Sequence, residues 1–109
     1  MTANRRVVVT GYGAITPLGL SAEDTWEGIK AGRSGVGPIT YFDASDFAVR
    51  IAAEVKHFHP EQVLNVKEVR RRSHYQHLIA AAAQEVLRHS AFTVTEANRE
   101  RTSVLIGSS

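Results

Sequence analysis

Three features of this sequence predict an α/β fold. Val7, Val8 and Val9 form a β-branched run closed by Thr10-Gly11, the pattern of a strand covered on both faces. Thr102 to Ile106 is a second run of the same buried type. Between them Tyr75, Leu78, Ile79, Ala82, Ala83 and Val86 follow the i, i+3, i+4, i+7, i+8, i+11 spacing of one buried helical stripe. Buried strands joined by crossover helices are the expected architecture.

Gly11 and Gly13 follow the first strand and let the chain approach another backbone where a side chain would clash. Pro17 fixes its own φ and pushes Thr16 to an extended conformation, so the strand opens into a loop. This excludes a dinucleotide fingerprint, which needs a third glycine where Thr16 stands and a helix starting inside the motif.

Ser21 is placed to cap a helix running from about Ala22 to Ala31, with Glu23 and Asp24 in its first turn and Gly32 as its stop. Arg33 to Pro38 is rich in turn residues. Gly32-Arg33-Ser34-Gly35-Val36 falls short of a nucleophile elbow, because Val36 occupies the closing position and no strand feeds into Ser34. Ser34 is therefore read as a turn residue.

Phe47 to Val55 has strand composition, and Pro60 suits the first turn of a short helix over residues 61–64. His57 and His59 alternate, but a metal site needs three or four ligands and no third is at hand. Asn65 with Glu68 has the form of a capping box opening a long helix that reaches His89, about 35 Å at 1.5 Å per residue. Ser90 to Asn98 is a polar linker.

The chain has no cysteine, which excludes disulfides and thiolate metal sites. A formal charge of +2 is too small to imply a nucleic-acid partner. No apolar run reaches membrane-spanning length and no signal-peptide core follows MTANRR, so a cytoplasmic protein is expected.

Lys67, Arg70, Arg71 and Arg72 crowd the first turns of the expected long helix, where the dipole disfavours cations by about 0.3–1 kcal/mol each. At about 100° per residue Lys67, Arg70 and Arg71 share a face with His74 beside the apolar stripe. Two readings stand: a solvated charged face, or an anion-binding patch at a helix N-terminus.

Several separated motifs, in order, carry a resemblance. They are V-V-V-T-G-x-G-x-x-T-P-L-G from Val7, a helix with Trp26, Ala31-Gly32-Arg33-Ser34-Gly35-Val36, and Tyr41-Phe42-Asp43. Arg50-Ile51-Ala52-Ala53-Glu54-Val55, Lys67-Glu68-Val69-Arg70-Arg71 and Val104-Leu105-Ile106-Gly107-Ser108 continue the series. Together they resemble the opening part of a β-ketoacyl-acyl-carrier-protein synthase of the type II, fatty-acid-elongating kind.

The resemblance implies a thiolase-like α/β fold of which residues 1–109 are an incomplete N-terminal portion of the synthase domain. It implies an acyltransferase that extends acyl thioesters by decarboxylative Claisen condensation with malonyl carrier protein, without metal or organic cofactor, as a homodimer. It further implies that Lys67, Arg70 and Arg71 meet the acidic acyl carrier protein. Arg72 and Ser73 depart from the pattern, which usually has an apolar residue and Asp there. Arg72 turns toward the buried side of the expected helix, where it either snorkels or marks a later helix start.

The family's nucleophile is a cysteine supported by two histidines. His57, His59, His74, His77 and His89 all lie outside the matching catalytic motifs, so no catalytic residue is assigned here. The expectation is the first part of a longer synthase. A non-catalytic carrier-binding fragment or a subunit like a chain-length factor is the alternative.

Overall fold

The computed structural model describes residues 3–109; Met1 and Thr2, which begin the MTANRR stretch, lie outside the described residues. In chain order the elements are helix α1 (Ala22–Lys30), strands β1 (Val36–Pro38) and β2 (Ile51–Ala53), and a 3-10 turn at Pro60–Gln62. Helices α2 (Val66–Arg71) and α3 (His74–Ser90) and a 3-10 turn at Arg99–Arg101 follow.

Helix α1 begins as its sequence signals require. Ser21 Oγ accepts the Asp24 N–H at 3.1 Å, and Glu23 and Asp24 occupy the first turn. The helix ends at Lys30, and Gly32 at φ 65° makes the left-handed turn that follows. Ser34 Oγ accepts the Val36 N–H at 3.2 Å, the local turn bond expected of it.

The glycine stretch forms the expected loop, and it packs closely on α3. A Cβ on Gly13 would stand 2.5 Å from the Ala82 carbonyl oxygen, so only glycine lets this backbone lie on α3. Thr16 and Gly19 exchange backbone hydrogen bonds of 2.9 and 3.1 Å around Pro17-Leu18, and the next helix starts only at Ala22.

Two expected strands are corrected. Val7–Val9 and the 102–106 run form no strand or bridge among the described residues, and all but Thr102 are exposed: Val7 is 91% and Leu105 100% accessible. A strand needs neighbours on its edges and layers on its faces, and β-branched composition supplies neither.

The third expected strand shrinks from residues 47–55 to Ile51–Ala53, and its partner is Val36–Pro38, which the turn-rich composition places in a loop. The pair is antiparallel, with Val36 opposite Ala53 and Pro38 opposite Ile51. Ile39 N–H extends the ladder to the Arg50 carbonyl at 3.0 Å. Pro38 is tolerated because each strand of a two-stranded ribbon is an edge.

The long helix expected from Asn65 to His89 is two helices. Arg72 (φ −107°, ψ 150°) and Ser73 (φ −76°, ψ 163°) are extended and separate α2 from α3. Ser73 acts as an N-cap, and Gln76 Oε1 accepts its N–H at 3.0 Å in a capping box. Asn65 Oδ1 caps α2 by accepting the Glu68 N–H at 2.9 Å. Glu68 does not complete a second box; its carboxylate pairs with Arg72. The short helix expected after Pro60 is the 3-10 turn Pro60–Gln62.

On α3 the residues of the expected stripe are at most half-buried, and Tyr75 is 50% exposed. The deeply buried positions are His77 and Ala81. Across the described residues the buried side chains are Ala44, Ala81, Glu54 and His77, all small or polar. The Cα radius of gyration is 17.8 Å, against about 13 Å for a compact domain of this length. These residues spread as a layer and do not close a core of their own.

Candidate functional site

The basic cluster is carried by α2. Lys67 lies in the first turn of this helix, and Arg70 and Arg71 in its last turn. All three side chains are exposed, and none forms an ion pair among the described residues. The break after Arg71 changes the electrostatic argument. Arg70 and Arg71 sit at a helix C-terminus, where the dipole favours cations, so only Lys67 is unfavourably placed. The patch is a surface of side chains on a short helix and not a helix N-terminal anion site.

The two remaining basic-stretch residues are diverted. Arg72 is half exposed and paired with Glu68, facing neither a core nor the patch's free cations. His74 belongs to α3, and its ring meets the edge of Tyr41 at a centroid distance of 5.7 Å, so it does not continue the α2 face.

The cluster is anchored from beneath. The buried His77 ring lies with Nε2 3.1 Å from the Val69 carbonyl of α2; since a carbonyl only accepts, Nε2 carries the proton. One helical repeat further, Gln84 Nε2 donates to the Val63 carbonyl at 2.8 Å.

Two carboxylates fasten the rest of the layer. Glu85 Oε2 accepts the Ala14 N–H at 2.8 Å and Oε1 accepts the Ala22 N–H at 2.9 Å. Glu54 is buried and accepts the Thr40 N–H at 2.9 Å, the Thr40 hydroxyl at 2.7 Å and the Tyr41 N–H at 3.2 Å. The Thr40 backbone and hydroxyl donors hold the Glu54 carboxyl below the usual carboxylate range, against desolvation.

Sequence reasoning singled out none of Glu85, Gln84 and His77 as an anchor. The available signal was polar or charged residues beside apolar positions of one helix, which does not say which backbone they meet.

No group of three or more potential ligands gathers among the described residues, and His57 and His59 are not joined by a third. A groove of about 880 Å³ lies between α1, the glycine loop and α3, lined among others by Tyr12, Trp26, Glu85 and His89. Two of its polar groups are engaged: Glu85 as above, and His89 Nδ1 as acceptor of the Tyr12 N–H at 3.1 Å. With no cysteine in the chain, nothing in this geometry supplies a thiolate nucleophile.

Residues 4–109 match the family model for the β-ketoacyl synthase N-terminal domain. The chain belongs to the β-ketoacyl synthase family. Among its relatives, the 3-oxoacyl-[acyl-carrier-protein] synthase 2 of Synechocystis sp. is 46% identical over 103 residues, covering 94% of this chain and 25% of that protein. The protein of the same description from Coxiella burnetii is 43% identical, covering 95% of this chain and 25% of its own length. The solved structure described as the ishigamide ketosynthase/chain length factor aligns with a TM-score of 0.73 at 34% identity, over 84% of this chain and 23% of that one. The α/β layer is thus part of the ketosynthase, thiolase-like fold. The chain spans about a quarter of the length of the β-ketoacyl synthases that it matches.

Proposed function

We propose that residues 1–109 are the N-terminal segment of a 3-oxoacyl-[acyl-carrier-protein] synthase domain and that α2 presents its carrier-protein docking patch. The observation that carries this reading is collinear similarity over nearly the whole chain to relatives of that description. The small interior, two alanines with Glu54 and His77, agrees with a layer that packs against other parts of a larger domain.

In the whole synthase a cysteine outside these residues takes the acyl group as a thioester. Malonyl carrier protein loses carbon dioxide, and the resulting carbanion attacks the acyl carbonyl, releasing the cysteine thiolate and lengthening the chain by two carbons. The role of residues 1–109 is recognition. Lys67, Arg70 and Arg71 are exposed cations with no ion pair among the described residues, suited to an acidic carrier whose phosphopantetheine delivers the thioester. A homodimeric, cytoplasmic enzyme of fatty-acid biosynthesis is the setting that this reading gives the protein.

A second reading is favoured by the absence of cysteine and by the chain length factor named with the structural relative: a carrier-binding subunit without chemistry. Malonyl-dependent condensation, assayed on the 109-residue chain and on the polypeptide isolated from its source, separates the two. The synthase reading expects no product from the 11.9 kDa chain and 3-oxoacyl product from a source polypeptide several times that mass. A source polypeptide near 11.9 kDa, bound to carrier and inactive, would establish the second reading instead.

A further inference from the structure

The basic patch sits on a helix with little of its own to hold it. Helix α2 has six residues, too few for independent stability, and it is severed from α3 by extended backbone at Arg72 and Ser73. What positions it must come from the layer beneath.

Helix α3 reaches up with two side-chain donors. His77 Nε2–H donates to the Val69 carbonyl at 3.1 Å, and Gln84 Nε2–H donates to the Val63 carbonyl at 2.8 Å. The donors are seven residues apart and therefore on one face of α3. Between them on that face lies Ala81, 5% accessible, whose small side chain permits close approach. The acceptors bracket the Asn65 cap of α2: Val63 closes the 3-10 turn before it, and Val69 lies one residue ahead of Arg70.

We infer that His77 and Gln84 are positioning residues for the carrier-docking patch, holding the α2 backbone on α3 so that Lys67, Arg70 and Arg71 keep a fixed spacing. This inference rests on the docking role proposed above for α2. Neither residue meets the carrier itself: His77 is buried, and both polar ends are occupied by backbone carbonyls. Their effect is preorganisation, since each cation fixed before encounter removes ordering entropy from the complex. Either bond lost leaves a part-buried carbonyl without a partner and frees one end of the α2 segment.

The test uses the whole synthase polypeptide that carries these residues, with acyl carrier protein as the probe, at low ionic strength. His77→Leu and Gln84→Leu are each expected to weaken carrier binding about threefold to tenfold, the worth of a hydrogen bond. His77→Gln, which retains a donor, is expected to recover most of the affinity. Amide hydrogen exchange should quicken in residues 66–71 of His77→Leu while residues 78–88 of α3 stay protected, which separates loss of positioning from loss of folding.

Unchanged affinity and unchanged exchange in His77→Leu and Gln84→Leu would overturn the inference, as would a His77→Gln variant no better than His77→Leu. If the unmodified chain does not bind carrier at all, the docking role falls and the inference about docking falls with it. The exchange data then still decide whether His77 and Gln84 hold α2, so the two failures are distinguishable.

Discussion

Glu85 on α3 accepts the backbone N–H of Ala14 at 2.8 Å, joining residues 71 apart in sequence. The other oxygen of the same carboxylate holds Ala22 N–H at the start of α1. One side chain thus ties the glycine loop and the first helix to the long helix. Hydrogen bonds to charged groups contribute about 1.5–3 kcal/mol each, so Glu85→Ala should cost about 2–3 kcal/mol of stability after relaxation. Urea denaturation of the two chains measures the difference. Glu85→Gln, which keeps one acceptor, should fall between them.

Gly13→Ala should be as disruptive without removing any polar group. The added Cβ would meet the Ala82 carbonyl oxygen at 2.5 Å and the Val86 nitrogen at 3.0 Å, both helix backbone that cannot yield. A cost of about 1–3 kcal/mol is expected for such overpacking. The readout is a lower melting temperature with loss of the Tyr12–His89 edge contact, now at a centroid distance of 4.3 Å, as seen by proton chemical shifts.

Charge reversal of Arg70 and Arg71 to Glu should weaken carrier-protein binding at least tenfold at low salt while leaving the circular dichroism spectrum unchanged. Both side chains are exposed and form no ion pair among the described residues, so the effect should shrink as ionic strength rises toward 0.5 M and screening shortens. Titration at two salt concentrations checks this. Arg72→Glu should act less on affinity, because Arg72 is already paired with Glu68.

Acid sensitivity should trace to Glu54. Its folded carboxyl titrates below the ordinary value of 4.5, so below that value the unfolded chain binds more protons than the folded one. The stability it contributes is complete above pH 4.5 and is lost as pH falls through the lower, folded value. Melting temperatures measured between pH 6 and pH 3 should therefore drop below about 4.5, and the drop should flatten in Glu54→Gln. An unchanged acid limb in that variant would assign the effect to another carboxylate.

The exposed runs Val7–Val9 and Val104–Ile106 should make the isolated chain prone to association. Sedimentation should show concentration-dependent oligomers that Val8→Lys with Leu105→Lys reduces, since a charge on each run opposes strand pairing.

The local chemistry of this chain was legible in its sequence. Ser21 caps α1, Asn65 caps α2, Pro17 delays the helix after the glycine loop, and Ser34 makes a turn, because each acts through atoms within a few residues of itself. The ordered motifs also carried the family, and the family model covers residues 4–109.

Two kinds of reading failed: those that depend on partners far away in sequence, and one local choice between competing caps. The Asn65 cap followed by the apolar stripe reads as one helix through Arg72 and Ser73, yet the stripe from Tyr75 to Val86 lies wholly within α3 and says nothing about the join. The competing capping box of Ser73 and Gln76 decided for two, and it moved Arg70 and Arg71 from the first turns of a long helix to the end of a short one.

The sequence by itself determined the caps at Ser21 and Asn65, the turn at Ser34, the family and the cluster of basic residues. Only the tertiary structure decided that Val36–Pro38 pairs with Ile51–Ala53, that Glu85 joins two distant segments, and that His77 and Gln84 underlie the patch. The physical reason is range. A side chain's preference for its own backbone is written in its neighbours, whereas the carbonyl or amide it finally meets depends on where the whole chain has gone.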